Sequence, residues 1–488
     1  ANSHMVPTRP GTMVLLRPDA LAHYHASRGT AYCLSTFFMQ PTTLPKPRPT
    51  PTVTTLINWI ALKLRARLND PDLEALPREL QQMATHMFHQ GPRAAVRSAP
   101  VRMPSAWDAD QWGDALLAGP DVVTHMPNVR WALHEVHGYD PDPDSWKWNK
   151  SNIKHGGFMD GAELFDNKMF SLSISESRGM DPMQRMILEV SYEGLSKAGL
   201  RKKDIMGSAT SVYVGHTSSE WGWVEDKCEE ARNAMGSGMV MCIFSNRVNY
   251  CLGLKGPSIS VDQEGASGLT SVHLCSVSVM DTWSNGDKKG GAVCGHGVAV
   301  GSYIQHSMRS LTLATAAGYL NAVGRCMTFN ATADGMARSE AIAAFVVKPL
   351  AKLVDGQSSM LDEKDPPVGV LAATGTSCSG VNLTLGVKAP HGPAIQEMVY
   401  EALSQAKISP LDVDACEVHG EGRAFTDVID LTSALFGLRG VDAARFPQDE
   451  LPMLPVGSVK CNTGHAKEAA GSLALLKALK AGDHGCAM

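Results

Sequence analysis

The sequence predicts an α/β protein. Three observations carry this: short β-branched runs alternate with helix-period segments, one helix start is sharply marked, and the apolar fraction suits a large core. The runs are "SATSVYVGH", "PSISVDQ", "HGVAVGSY", "AIAAFVVKPL", "VGVLAATGT", "DACEVHG" and "LPVGSVKC". Runs this short and this apolar, set between helical patterns, read as buried strands. The marked helix lies in "MDPMQRMILEVSYEGLSKAGL". Asp181 suits an N-cap and Pro182 the first helical position, Met183, Ile187, Val190 and Ala198 share one face, and Gly199 closes the helix.

The chain has 488 residues, enough for one large domain or two to three ordinary ones. Its 44% hydrophobic content is ordinary for a globular protein. A net charge of −5 without a long basic run argues against nucleic acid as the main partner. The 11 cysteines form no CxxC pair, so neither a zinc knuckle nor a disulfide framework is expected, and a reducing compartment is the default. No apolar stretch is long enough to span a membrane.

The first 92 residues read as an N-terminal extension. From Ala1 to Arg67 there are eight Lys or Arg against one acid, Asp19. "QPTTLPKPRPTPTVTT" is Pro/Thr-rich and expected to be extended, and "TTLINWIALKLRARL" has helical spacing with a basic face. Two readings stand: an organelle transit segment, plastid included, or a docking arm on an otherwise cytoplasmic protein. "NSHM" resembles a cloning remnant, with Met5 then the natural start.

Six segments follow in order: "GGFMDGAELFDNKMF"; the Asp181 helix; "SNRVNYCLGLKGPSISVDQEGASGLTSVHL"; "GRCMTFNATADGMARSEAIAAFVVKPL"; "EVHGEGRAFTDVIDL"; and "GSVKCNTGHAKEAAGSLALLKAL". Their order and spacing resemble the β-ketoacyl synthase (ketosynthase) domain of type I polyketide and fatty acid synthases, over roughly residues 93 to 480. The resemblance implies the thiolase fold: two similar βαβ halves, here 93–350 and 351–488, whose central sheets sandwich buried helices. It implies a dimer, formed through the strand Gly256 to Asp262. It also implies acyl chemistry on the phosphopantetheine arm of an acyl carrier protein. In that chemistry a cysteine at a helix N-terminus takes the acyl chain, two histidines serve the malonyl-type extender, and a lysine holds part of their network.

Carried over by residue, the resemblance makes His419 in "VHGEG" and His465 in "CNTGH" the two histidines, and Lys460 the lysine. The nucleophile is missing. In "VDQEGASGL" Gly265 stands where the cysteine belongs, and without a side chain it cannot form an acyl-enzyme. Gln263 and Glu264 replace small residues beside it. Ser267 is a poor substitute: "GASGL" ends on Leu269 where a G-x-S-x-G elbow has glycine, and two residues along a helix points elsewhere. Cys275 and Cys461 are expected to be packing residues.

Other positions depart as well. Glu421 and Arg423 replace the threonines that help seat the pantetheine arm. They could pair in a closed tunnel or close an unused entrance. Ser339 and Ala341 replace glycines and crowd a tight backbone region. Phe329, lining the substrate site, and Asp334, Arg338 and Asp427 match the family. Relative to it, the C-terminal half is expected to be incomplete at Met488, with two strands and a glycine-rich loop lacking and a sheet edge open.

The expected function is therefore a catalytically inactive ketosynthase-like subunit: structural, partner-binding or chain-length-controlling within a larger assembly. The alternative is a malonyl-thioester decarboxylase in which the histidines still act and Gln263 or Glu264 fills the vacated space. A condensing enzyme, with Gly265 engineered or the register misread, is the third reading. The expected partner is a second copy or a related ketosynthase-like chain, with an acyl carrier protein if the site is active. No metal or resident cofactor is expected.

Overall fold

The computed structural model describes residues 93–128, 130, 138–217, 219–224, 236–284, 294–354, 357–360, 367–380, 390–408, 410–440 and 454–484. The N-terminal extension, with its basic stretch and the helix expected at 54–68, lies outside them.

In chain order the strands are β1 (Ala94–Ser98), β2 (Val101–Arg102), β3 (Thr124–His125), β4 (His155–Gly156), β5 (Ser211–Gly215), β6 (Ser258–Val261) and β7 (Gly297–Tyr303), then β8 (Ala341–Pro349), β9 (Ala351–Val354), β10 (Gln357–Met360), β11 (Gly369–Leu371), β12 (Cys416–Glu417) and β13 (Val456–Gly457). Each run named from the sequence contains one of these strands. The longer helices are α1 (Ala109–Ala118), α2 (Pro182–Lys197), α3 (Met241–Leu252), α4 (Ser267–Ser284), α5 (Met308–Ala316), α6 (Gly392–Ala406), α7 (Ala424–Leu435) and α8 (Ala470–His484).

The main sheet has the order β11-β1-β8-β7-β5-β6, with β2 also on β8. β5 runs parallel to β6 and β7, while β8 is antiparallel to β7 and β1. The central strands β5 and β7 are buried along their whole length, mostly apolar, because both faces are covered. Side chains alternate between the faces with period two. Val298, Val300, Ile342, Ala344 and Val346 share one core cluster with Ile187 and Val190 of α2 and Phe244 of α3. Ala299, Ala343, Phe345 and Val347 share another with Val272 and Cys275 of α4 and Leu473 and Leu476 of α8.

Helix α2 begins as its sequence dictates. Asp181 caps it, accepting the Met183 N–H, with Pro182 in the first turn. Ala198 is only half-buried, because it sits at the cap where the helix leaves the core.

β6 lies at the end of the sheet order, and among the described residues no strand pairs with its outer edge. Ile259 on it is 45% exposed. At the opposite end β11 adds to β1 although it lies beyond residue 350. Among the described residues of the C-terminal part, β12 and β13 form a two-stranded parallel sheet, and α6 packs on α7. No helix among the described residues is long and apolar enough to cross a membrane.

Candidate active site

The turn between β6 and α4 is built by its own side chains. Asp262 accepts the Glu264 N–H. The Ser267 hydroxyl accepts the Gln263 N–H at 2.8 Å and donates to the Glu264 carbonyl at 2.7 Å. Ser267 is thus a buried turn-closing group with its hydroxyl proton committed. Glu264 is held at φ +48°, a strained value for a non-glycine residue. Gly265 follows. A Cβ built on it would stand 3.7 Å from His465 Cε1 and 3.9 Å from the Lys467 carbonyl oxygen, both ordinary contacts. Neither neighbour fills that space. Gln263 accepts from Thr270 Oγ1 at 2.7 Å, and Glu264 is exposed.

His465 is buried and clamped by backbone. Its N–H donates to the Ala337 carbonyl at 2.7 Å, and its own carbonyl accepts the Ser339 N–H at 3.1 Å. Its Nδ1 accepts the Lys467 N–H at 2.9 Å, so in the neutral ring the proton sits on Nε2. Burial first, then the charges of Lys460, Arg338 and His419, holds its pKa well below the ordinary imidazole range. His465 is therefore a neutral ring presenting an Nε2–H donor.

His419 leaves the end of β12 with its side chain 44% exposed. Its ring centroid lies 5.4 Å from that of His465, in an edge-to-face arrangement. The Lys460 ammonium donates to the His419 carbonyl at 2.7 Å, and Ser458 Oγ donates to the same oxygen at 3.0 Å. Lys460 is buried, which lowers its pKa, and it holds the backbone that carries His419.

The loop after His419 needs its glycines. Gly420 and Gly422 have φ of +41° and +87°, and a Cβ on Gly422 would meet the Gly335 carbonyl oxygen at 2.8 Å. Asp427, in the first turn of α7, ties the loop down. It accepts the N–H groups of Glu421 at 2.9 Å, Gly422 at 3.1 Å and Phe329 at 3.4 Å. Phe329 itself has φ +59°.

Glu421 is turned into the cluster with its side chain 9% exposed. Its Oε1 accepts from Arg423 Nη1 at 3.0 Å and Thr426 Oγ1 at 3.1 Å, while its Oε2 lies 3.4 Å from His419 Nε2. The Arg423 guanidinium also lies over the Tyr319 ring at 5.1 Å. Burial alone would raise the Glu421 pKa. His419, Arg423 and Thr426 outweigh it and hold the carboxyl down at about 2.

Glu421, His419 and His465 each bring a potential metal-ligand atom within 4.8 Å of the others. The protonation of His465 opposes a metal there. A ligating Nε2 would force a proton onto Nδ1, which faces the Lys467 N–H.

Three other thiols offer no replacement at this position. Cys275 is fully buried in the α4 core face, and burial raises the Cys326 pKa to about 12. Cys461 is exposed, contrary to the packing role expected, and its thiol donates to the Ser458 carbonyl at 2.7 Å. Ser339 does crowd its neighbourhood: it is buried against Gly157, and its hydroxyl has no partner among the described residues.

Two family models match the chain: the β-ketoacyl synthase N-terminal domain over residues 93–352 and the C-terminal domain over residues 368–487. The chain belongs to the β-ketoacyl synthase family. It is 34% identical over 363 residues to erythronolide synthase EryA3 of Saccharopolyspora erythraea, covering 74% of this chain and 11% of that protein. It is 32% identical over 396 residues to a mycocerosic acid synthase-like polyketide synthase of Mycobacterium tuberculosis, covering 80% and 17%. The chain thus spans under a fifth of the length of these relatives. Among solved structures, the oxazolomycin ketosynthase domain OzmH KS7 of Streptomyces albus JA3453 matches with a TM-score of 0.68 and 27% identity, covering 80% of this chain and 64% of that one. The ketosynthase from module 6 of the bacillaene synthase of Bacillus subtilis 168 matches with a TM-score of 0.66 and 25% identity, covering 80% and 61%. The thiolase-like fold implied by the sequence is therefore the fold of this ketosynthase domain.

His419, His465, Lys460, Glu421 and Arg423 come together in one cluster faced by Gly265, and Phe329 joins it through Asp427. The sequence reading missed Thr426, Lys467 and Tyr319. Thr426 had a local signal, at i+3 from Arg423 across a helix start. Lys467 acts through its backbone N–H, and Tyr319 lies 104 residues before Arg423, so neither left a pattern to read.

Proposed function

We propose that this ketosynthase domain does not condense acyl units and serves as a structural, partner-binding or chain-length-controlling subunit of a larger polyketide assembly. The observation that carries this is Gly265, which faces His465 where the resemblance puts the nucleophile and offers no atom to acylate. The other thiols considered give no replacement: Cys275 and Cys326 are buried, and Cys461 is bonded to backbone. The small share of its relatives' length that the chain spans supports a part within a larger system.

In this reading the open β6 edge pairs with a second copy or a related ketosynthase chain, and the basic N-terminal stretch is a docking or targeting arm. Any acyl group that visits arrives on the phosphopantetheine arm of an acyl carrier protein. The test is incubation with acetyl- and malonyl-loaded carrier, read by intact mass and product analysis. The expected result is no acyl adduct and no β-ketoacyl product; either one would overturn the reading.

Malonyl decarboxylation is the second reading, supported by the His465 Nε2–H donor beside the His419 ring, a pair able to stabilise an enolate. The committed side chain of Gln263 and the exposed one of Glu264 leave it without the residue expected to fill the vacated space.

A further inference from the structure

Glu421 brings a fixed negative charge into the cluster. Its carboxylate is bracketed on one side by Arg423 and Thr426 and on the other by His419 Nε2. The loop beneath it is pinned by Asp427, so the carboxylate cannot leave without breaking a connected set of bonds. We infer that Glu421 is a built-in carboxylate filling the anion position between His419 and Arg423, so that the space beside Gly265 admits uncharged acyl thioesters and refuses malonyl-type ones. This rests on the reading of the site as a remodelled acyl-thioester site.

Charge accounting supports the inference. An incoming carboxylate needs an unspent cation or several donors. Arg423 is spent on Glu421 and Tyr319, Lys460 on the His419 carbonyl, and Lys467 on Glu468 and Thr217, while Arg338, whose charge also reaches His465, is buried. His465 is kept neutral by burial and nearby positive charge. Asp427 and Asp430, both on α7, add acidic groups close by, Asp430 with its pKa raised by burial. Glu421 is ionised at any working pH. A second carboxylate therefore meets like charge in a partly desolvated setting. A neutral thioester carbonyl needs only a donor, and the Nε2–H of His465 is one.

The test compares two probes of nearly equal size: S-malonyl-pantetheine and its carboxyl methyl ester. Their affinities for the wild-type protein, measured by calorimetry at neutral pH, isolate the charge. The methyl ester is expected to bind at least tenfold tighter than the acid. Glu421→Gln keeps the shape and removes the charge, and should shift the acid-to-ester affinity ratio at least tenfold towards the acid. Equal binding of acid and ester by the wild type would overturn the inference. So would a variant in which both probes gain alike, since the carboxylate would then be only a steric plug. Failure of both probes to bind would overturn it too, while leaving the non-condensing reading in place. The wild-type comparison needs no variant to fold. Formation of a β-ketoacyl product in the same mixtures would instead overturn the non-condensing reading, whatever the charge preference.

Discussion

A side chain grafted onto Gly265 would face His465, with its Cβ 3.7 Å from Cε1 of that ring. The turn that carries Gly265 ends at the start of α4, with the His465 imidazole facing it. The loop after His419 carries a carboxylate and a guanidinium locked to each other.

That lock should be visible in acid. The Glu421 carboxyl sits at about 2 in the folded protein, against an ordinary 4.5. Because the folded pKa is depressed, its stabilisation is present above about pH 4.5 and lost as pH falls towards 2. The shift corresponds to up to about 3 kcal/mol for a side chain this little exposed. Denaturant unfolding at pH 7 and pH 3 should show the wild type losing more stability than Glu421→Gln over that interval. Equal losses would contradict the assignment of His419, Arg423 and Thr426 as partners of an ionised Glu421.

Ser339 leaves a buried hydroxyl without a partner among the described residues. Ser339→Ala removes it while keeping the backbone, and should stabilise the domain by roughly 1 kcal/mol. A urea midpoint that rises at unchanged slope would show this. A lower midpoint would mean that the hydroxyl is satisfied in solution.

The outer edge of β6 is the place to look for association. Ile259 is 45% exposed there, on a strand with one edge unpaired among the described residues. Sedimentation at micromolar concentration should show a dimer, and Ile259→Lys should weaken it by at least tenfold through the unfavourable burial of a charge. A wild-type monomer with no other chain bound would contradict the interface.

Much of this architecture was legible locally. The apolar runs "HGVAVGSY" and "AIAAFVVKPL", read as buried strands, are β7 and β8 between the two core clusters, and Asp181–Pro182 set the start of α2. The cluster was legible through ordered motifs, which placed His419, His465, Lys460 and Gly265 before any geometry was known. Distant pairings were not. That β11 returns to β1 across more than 270 residues leaves no local signature. The fixed protonation of His465 depends on a backbone N–H, which every residue but proline supplies, so sequence could not single out Lys467. The expectation that Gln263 could turn into the vacated space failed because Thr270, in the first turn of α4, donates its hydroxyl to the Gln263 side chain.

The central claim is that more than one missing thiol silences condensation: the surroundings of Gly265 are remodelled as well. Gly265→Cys tests it most directly. The space accepts a Cβ at ordinary contact distances, and the new thiol would stand two residues before the start of α4, where a lowered pKa favours the thiolate. The account predicts a protein that alkylates readily at residue 265, seen as a single added mass with iodoacetamide. It predicts no β-ketoacyl product from acyl- and malonyl-loaded carrier, because Glu421 and Arg423, locked to each other, stand where the resemblance puts the threonines that seat the arm. Condensation restored by that one substitution would contradict the account.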